Sequence, residues 1–133
     1  MVPNRRRILV VAGEASGDFY GAQLVRELTR LEPALEIHSI GGLAMEAQKP
    51  HSHFGIAHFG ATGFSGVLLN LPAYIALLGK IHRRIRHISP DLIVFIDNPG
   101  LNLRIAKKAA VFKIPMVYYI APQVWAWGKK RAF

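Results

Sequence analysis

The stretch Leu92-Ile93-Val94-Phe95-Ile96-Asp97-Asn98-Pro99 decides the fold of this chain. Its five apolar residues include the Val, Ile and Phe that favour strands, and such an unbroken run predicts a strand buried on both faces. Asn98 and Pro99 then predict the start of a helix, with Asn98 as its cap and Pro99 at its first position. We therefore expect Asp97 at the carboxyl end of a central parallel strand, the edge at which open α/β sheets bind ligands.

Strands and helices alternate along the rest of the chain. The predicted strands cover residues 8–12, 35–40, 54–59, 92–96 and 114–120. The predicted helices cover 18–31, with Asp18 as the cap, and 43–48, 72–88 and 99–112. This βαβ spacing predicts an α/β fold with a doubly wound, Rossmann-like parallel sheet, in one domain spanning residues 1–133. Val124-Trp125-Ala126-Trp127 opens an element that the sequence does not complete, so we expect the domain to be part of a longer protein.

Composition restricts the possible functions. The chain has 133 residues, half of them hydrophobic, which is enough for one buried core. It has no cysteine, which excludes disulfides and thiolate chemistry. The apolar run after Arg7 is too short for a signal peptide, which predicts a cytoplasmic protein. The net charge of +9 predicts an acidic partner, such as phosphate groups, nucleic acid or an anionic membrane surface.

One stretch combines apolar and basic character. No Lys, Arg, Asp or Glu lies between Lys49 and Lys80, but Asn70 and Pro72 interrupt the apolar run, which favours a surface or core segment over a membrane-spanning helix. The basic residues that follow it are Lys80, Arg83, Arg84 and Arg86. This pattern suits an anionic bilayer. Nucleic acid would favour interleaved aromatic residues, which this cluster lacks, and a solvated helix face is the third possibility.

Three further features are candidates for chemistry. The loop from Gly13 to Asp18 joins a strand to a helix. It is suited to bind an anion, and the alternative is a tight turn without a ligand. Asp97 is a candidate general base. The alternative is a structural role, in which its carboxylate stabilises its own loop by accepting hydrogen bonds from backbone N–H groups. Trp125 and Trp127 suit an aromatic platform for a sugar or acyl chain, or fill a hydrophobic contact. No Asp or Glu stands at ligand spacing from the histidines His51, His53 and His58, so we expect no metal and no cofactor.

Taken together, these motifs resemble lipid A disaccharide synthase, a family of bacterial glycosyltransferases. The resemblance rests on Gly13-Glu14-Ala15-Ser16-Gly17-Asp18, on Gly41-Gly42 with Met45, on Ile96-Asp97-x-Pro99 with Asn102, and on Pro122-x-Val124-Trp125-Ala126-Trp127. The chain departs from the family pattern at Leu43, Ala44, Asn98, Gly100 and Gly66. The family fold is GT-B, so the resemblance implies that this chain is its N-terminal, acceptor-side domain and that the C-terminal, donor-binding domain is absent.

The resemblance also implies a reaction and a site. The family transfers 2,3-diacylglucosamine from UDP to 2,3-diacylglucosamine 1-phosphate, without a metal, in lipid A biosynthesis. It implies Asp97 as the catalytic base. The substrate-binding residues that it implies are Glu14, Ser16, Gly17, Asp18, Asn102, Gln123 and Trp125. The implied partners are the UDP-sugar donor, the lipid-phosphate acceptor and the anionic inner face of the bacterial inner membrane, but no nucleic acid. Because the donor-binding domain is absent, a separate C-terminal chain is a further candidate partner. Two alternatives remain open, a non-enzymatic lipid-binding module derived from the family and a nucleotide-binding Rossmann protein of other function.

Overall fold

The structure is a computed structural model, which describes residues 5–56, 71–96 and 99–120. Its strands are β1 (Arg7–Ala12), β2 (Glu36–Gly41), β3 (Ser52–Gly55), β4 (Leu92–Ile96) and β5 (Met116–Tyr119). Its helices are α1 (Ala15–Leu31), α2 (Leu43–Glu46), α3 (Leu71–Ile88) and α4 (Pro99–Ala109), followed by a 3-10 turn at Ala110–Phe112. The five strands are parallel and lie in the order β3-β2-β1-β4-β5.

Helices cover both faces of this sheet. On one face, Ala22 and Val25 of α1 and Met45 of α2 pack against Val10 of β1 and Val94 of β4. On the other face, side chains of α3 and α4 pack against alternate residues of the same strands. This second core comprises Leu9, Val11, Ile40, Ile93, Phe95, Leu78, Ile81, Ile85, Leu101 and Ile105. Because successive strand residues point to opposite faces, β1 and β4 need apolar residues at every position, which explains their unbroken apolar runs. The predicted doubly wound Rossmann-like sheet is confirmed.

The structure corrects the bounds of two elements. Helix α1 begins at Ala15 rather than at Asp18, and Glu14 occupies its N-cap position without a side-chain capping bond. The prediction of Asp18 as the cap of α1 is therefore wrong, since its carboxylate binds the start of α2 instead. Strand β3 lies at Ser52–Gly55 rather than at 54–59, of which residues 57–59 lie outside the described part. The polar residues Ser52 and His53 enter the strand because β2 offers them hydrogen-bonding partners.

Candidate functional site

The two central strands define the candidate site. β1 and β4 are neighbours, and Ala12, the last residue of β1, pairs with Ile96, the last residue of β4. The chain leaves β1 for α1 on one face and leaves β4 for α4 on the other. This divergence is a topological switch point, where the loops separate and leave a crevice outside the carboxyl ends of the strands. The Gly13–Asp18 motif directly follows β1 and therefore begins at this edge of the sheet.

Glu14 and Ser16 lie at the start of α1 with exposed side chains. The backbone of Glu14 is extended, with φ −134° and ψ 161°, and its carbonyl oxygen accepts the Asp18 N–H at 2.8 Å. The geometry therefore leaves both side chains accessible at the ligand edge of the sheet. Their role in binding substrate stays a prediction.

Asp18 has a structural role. Its side chain is 8% exposed, and the carboxylate accepts the backbone N–H groups of Gly42, Ala44 and Met45 at 2.9, 2.9 and 3.1 Å. These donors lie at the start of α2, where helical N–H groups lack partners within the helix. Asp18 thus fastens the turn between β2 and α2 to helix α1. The three bonds connect the Gly-Glu-x-Ser-Gly-Asp motif to the Gly41-Gly42 motif.

The motif glycines allow this close packing. A Cβ atom on Gly42 would lie 2.6 Å from Asp18 Oδ2, and one on Gly21 would lie 2.6 Å from Met45 Sδ. Met45 is fully buried beside Gly21. A side chain at either glycine would therefore push α1 and α2 apart.

The end of β4 is held by two helices. Asn102, fully buried in α4, donates its Nδ2–H to the Ile96 carbonyl oxygen at 3.0 Å. Helix α1 approaches the same oxygen at Gly17, where a Cβ atom would lie 3.3 Å away. Gly17 is buried as well. Asn102, one of the residues that the resemblance implies as substrate-binding, therefore binds the last carbonyl of β4, and a side chain at Gly17, another of them, would come close to the same oxygen.

Three predicted site residues cannot be placed in this geometry. Asp97, Gln123 and Trp125 lie outside the described residues, and so does Trp127. Their roles stay predictions from the sequence.

The histidines of the candidate metal set have other partners. His51 Nδ1 accepts the Ile37 N–H at 3.1 Å, and His53 Nδ1 lies 2.6 Å from Ser39 Oγ. His58 lies outside the described residues. Within residues 5–56, 71–96 and 99–120, no three His, Asp or Glu side chains come together as a possible metal site.

A second His–Ser pair lies on the opposite face of the same two strands. His38 Nε2 lies 2.8 Å from Glu36 Oε1, and His38 Nδ1 is hydrogen-bonded to Ser52 Oγ. A carboxylate can only accept, so Nε2 carries the proton and Nδ1 accepts from the serine hydroxyl. Burial lowers the pKa of His38 below its ordinary value, although Glu36 acts in the opposite direction. The pKa of Glu36 is lowered chiefly by its hydrogen bond with His38.

An aromatic pair at the site escaped the sequence reasoning. Phe19 and Tyr20 follow Asp18 in α1, are 56% and 45% exposed, and pack edge to face with centroids 5.6 Å apart. Leu43, at the start of α2, is also exposed. These side chains place exposed apolar surface on the first turns of α1 and at the start of α2. Two adjacent aromatic residues in a predicted helix could have indicated an exposed aromatic side chain. Neighbouring helical residues point in different directions, so at least one of the two must lie away from the buried face.

The sequence matches the lipid-A-disaccharide synthetase family, LpxB, over residues 8–133. The chain belongs to this family. It is 37% identical over 131 residues to lipid-A-disaccharide synthase 1 of Legionella pneumophila, covering 98% of this chain and 34% of the relative. It is 38% identical over 129 residues to the lipid-A-disaccharide synthase of Geobacter metallireducens, covering 97% and 33%. The chain thus spans about a third of the length of these curated relatives. The family is that of the lipid A biosynthesis glycosyltransferases.

Two solved structures share the fold. The C-terminal domain of a hydrogenase from Pyrococcus furiosus aligns with a TM-score of 0.67 at 13% identity, covering 90% of this chain and 96% of that one. A UGT glycosyltransferase of Glycyrrhiza uralensis, solved with glycyrrhetinic acid 3-O-monoglucuronide, aligns with a TM-score of 0.52 at 12% identity, covering 86% and 28%. The second likeness supports the fold of a GT-B N-terminal domain.

Proposed function

We propose that this chain is the N-terminal, acceptor-side part of a lipid A disaccharide synthase. The complete enzyme would move 2,3-diacylglucosamine from UDP to 2,3-diacylglucosamine 1-phosphate. The observation that carries the proposal is the family match over residues 8–133, together with a crevice at the β1–β4 switch point that is bordered by Glu14 and Ser16. The exposed Phe19 and Tyr20, which directly follow the Gly13–Asp18 motif in α1, offer apolar surface for an acylated substrate.

Asp97 is the proposed base. The acceptor hydroxyl oxygen forms a bond to the anomeric carbon of the donor sugar, and the bond from that carbon to the UDP oxygen breaks. The carboxylate takes the hydroxyl proton, and UDP leaves with the electron pair. Such general-base catalysis typically contributes about 10²–10⁴-fold. The proposal is supported by the position of Asp97 in the sequence, directly after the last residue of β4.

The donor would be held by the remainder of the family protein. Because this chain spans about a third of its relatives, we propose that the 133-residue chain has no transferase activity alone and that turnover also requires the C-terminal part of the family protein. Mixing it with a C-terminal fragment of the family should restore disaccharide formation, measured as lipid product and released UDP. Asp97→Asn should then lower kcat by about 10²–10⁴-fold.

The matched control is Asp91→Asn at the opposite end of the same strand. Asp91 is exposed, and its Oδ2 accepts the Arg7 N–H at 2.8 Å, a bond that an asparagine oxygen can keep. The control should retain activity. Disaccharide formation by the isolated chain, or equal activities of the two variants, would refute the assignment.

We further propose that the protein works at the cytoplasmic face of the inner membrane as a peripheral protein. None of the helices within residues 5–56, 71–96 and 99–120 is long and apolar enough to cross a bilayer. Helices α3 and α4 contain no acidic residue. Their exposed cations are Lys80, Arg83, Arg86, Arg104, Lys107 and Lys108. This basic layer supports contact with anionic lipid.

Vesicle binding tests the basic layer. Replacing Lys80, Arg83 and Arg86 together by Gln should weaken binding to vesicles of 30% phosphatidylglycerol by about 10²-fold, since each basic residue contributes about 1 kcal/mol near such a surface. The control replaces Arg26, Arg30 and Lys49, which lie in or beside α1 and α2, and should bind nearly as the wild type. Equal losses in the two triple variants would contradict a role specific to this layer.

The alternative function is a non-enzymatic lipid-binding module derived from the family. Such a module should also bind anionic vesicles, but it should not catalyse disaccharide formation. The mixing experiment distinguishes the two, because a lipid-binding module would bind the vesicles and stay inactive with any C-terminal fragment.

A further inference from the structure

His51 binds both backbone groups of one residue where the contact between β2 and β3 begins. Its backbone N–H donates to the Ile37 carbonyl oxygen at 2.7 Å, and its side-chain Nδ1 accepts the Ile37 N–H at 3.1 Å. The paired strand positions start at the next residue, where His38 lies opposite Ser52. His51 therefore clamps the first position of this contact.

The side-chain half of the clamp requires a neutral imidazole. A backbone N–H can only donate, so Nδ1 of His51 must carry no proton. Protonation would place one N–H against another and break the bond to Ile37. The His51 side chain is exposed, so protons from the solvent have access to it. Histidine is the side chain that ordinarily changes charge between about pH 5 and 8, which makes this bond suited to control by mild acid.

Two Ser–His pairs continue the contact along the strands. His38 Nδ1 is hydrogen-bonded to Ser52 Oγ on one face of the sheet, and His53 Nδ1 lies 2.6 Å from Ser39 Oγ on the other. A serine hydroxyl can donate or accept, so either pair can survive protonation by reversing the direction of its bond. The bond from Ile37 to His51 cannot reverse, which makes it the proton-sensitive one of the three.

Charged groups from five elements lie near these rings. They are Arg7 of β1, Glu36 of β2, Asp18 of α1, Glu46 of α2 and Arg84 of α3. The carboxylates favour protonated rings, whereas Arg84 and a charge on His51, whose ring lies 6.1 Å from that of His38, oppose them. Burial has the largest effect and lowers the pKa of both His38 and His53. The closed contact therefore favours neutral histidines.

Strand β3 has less buried surface than the central strands. It has four residues, three of them partly buried and one exposed, and Phe54 is its single apolar side chain. Within the described part of the chain it pairs with β2 at the end of the strand order. β1 and β4 are instead buried over most of their length. A segment with so few buried apolar contacts opens at a lower free energy than the whole domain.

We propose that His51 is a proton-sensitive clamp on strand β3. Its neutral imidazole holds Ile37, and its protonation in mild acid releases β3 while β2, β1, β4 and β5 stay paired. The inference concerns the edge of the sheet and does not depend on the proposed transferase function.

Hydrogen exchange of backbone amides in the 133-residue chain tests the clamp. The probes are the amides of Ile37 and Ile56, which bind across the two ends of the contact, and the reference is the Ile93 amide, which binds the Pro115 carbonyl oxygen. Rates are corrected for intrinsic exchange at each pH. Between pH 7.5 and pH 5.5 the protection of both probes should fall by about three- to tenfold, the loss expected for one hydrogen bond. Ile93 should stay more protected than either probe at both pH values.

Two variants separate His51 from other effects of acid. His51→Ala removes the acceptor, so both probes should be weakly protected already at pH 7.5 and should change less on acidification than in the wild type. His87→Ala is the matched control, because His87 is exposed at the end of α3, and it should keep the wild-type pH dependence. Unchanged protection of the probes in the wild type, or a full pH dependence in His51→Ala, would overturn the proposal. Probes as strongly protected as Ile93 would also overturn it, since β3 would then open only with the whole sheet.

Discussion

At the scale of single residues, the family motifs mostly shape the backbone around the crevice. Asp18 binds three N–H groups of the β2–α2 turn, and Gly42 makes room for its carboxylate. Asn102 binds the last carbonyl of β4. Glu14 and Ser16 alone among the described motif residues with polar side chains are exposed at the crevice. The family motifs therefore combine two exposed polar side chains, Glu14 and Ser16, with buried side chains that fix the surrounding backbone.

The packing of Gly21 yields a stability prediction. In Gly21→Ala the new Cβ would lie 2.6 Å from Met45 Sδ and 3.2 Å from Ile96 Cδ1. Met45 is fully buried, so the side chain must move within a dense core. We expect the free energy of unfolding to fall by about 1–3 kcal/mol, measured by urea denaturation.

Gly79 provides the control for this prediction. It lies within α3, and a Cβ atom there would meet no atom within 4 Å. Gly79→Ala should therefore raise the free energy of unfolding by up to about 1 kcal/mol, because alanine favours the helix. A Gly21→Ala protein as stable as Gly79→Ala would show that α1 and α2 are not packed as described.

At the scale of elements, apolar patterns predict the bounds of those strands and helices that depend only on the local sequence. The runs 8–12 and 92–96 give β1 and β4 nearly to the residue because strands buried on both faces are continuously apolar. Helix α3 likewise starts and ends within one residue of its predicted bounds. The start of α1 was missed because the partner of Asp18 lies 24 or more residues away, at Gly42 and beyond. The predicted bounds of β3 were wrong because its polar residues find their hydrogen-bond partners on β2, which is distant in sequence.

The polar pairs between β2 and β3 predict a pH dependence of stability. Burial lowers the pKa of both His38 and His53, the latter against the raising effects of Glu46 and Asp18. The unfolded chain then binds protons more readily than the folded chain. The folded state is therefore stabilised fully at a pH above the histidine pKa of the unfolded chain, which is about 6.5. This stabilisation is lost as the pH falls below that value towards the lower pKa values of the folded chain.

Urea denaturation at pH 7.5 and pH 5.5 measures this effect. The wild type should lose stability at the lower pH, and His38→Gln with His53→Gln should lose less. His87→Gln is the control, because His87 is exposed at the end of α3 and should leave the wild-type dependence intact. A double variant with the same pH dependence as the wild type would contradict the role of these two histidines.

At the scale of the whole molecule, the sheet carries different surfaces on its two sides. The α3–α4 layer has only basic charges, whereas α1 carries both signs, including an ion pair of Glu27 with Arg30 at 2.8 Å. The crevice lies at the edge between these layers. The sequence could predict the sheet and the edge, because both follow from the order of the elements. It could not predict that Asp18 and Asn102 face the backbone, because that depends on contacts between distant segments.

Ligand titration tests the central claim, that this chain is the acceptor-side part of its family, most directly. Calorimetry on the 133-residue chain would compare a short-chain 2,3-diacylglucosamine 1-phosphate with UDP, each below its aggregation limit. We predict saturable binding of the acylated sugar phosphate and none of UDP. Binding of UDP without binding of the acceptor would contradict the assignment.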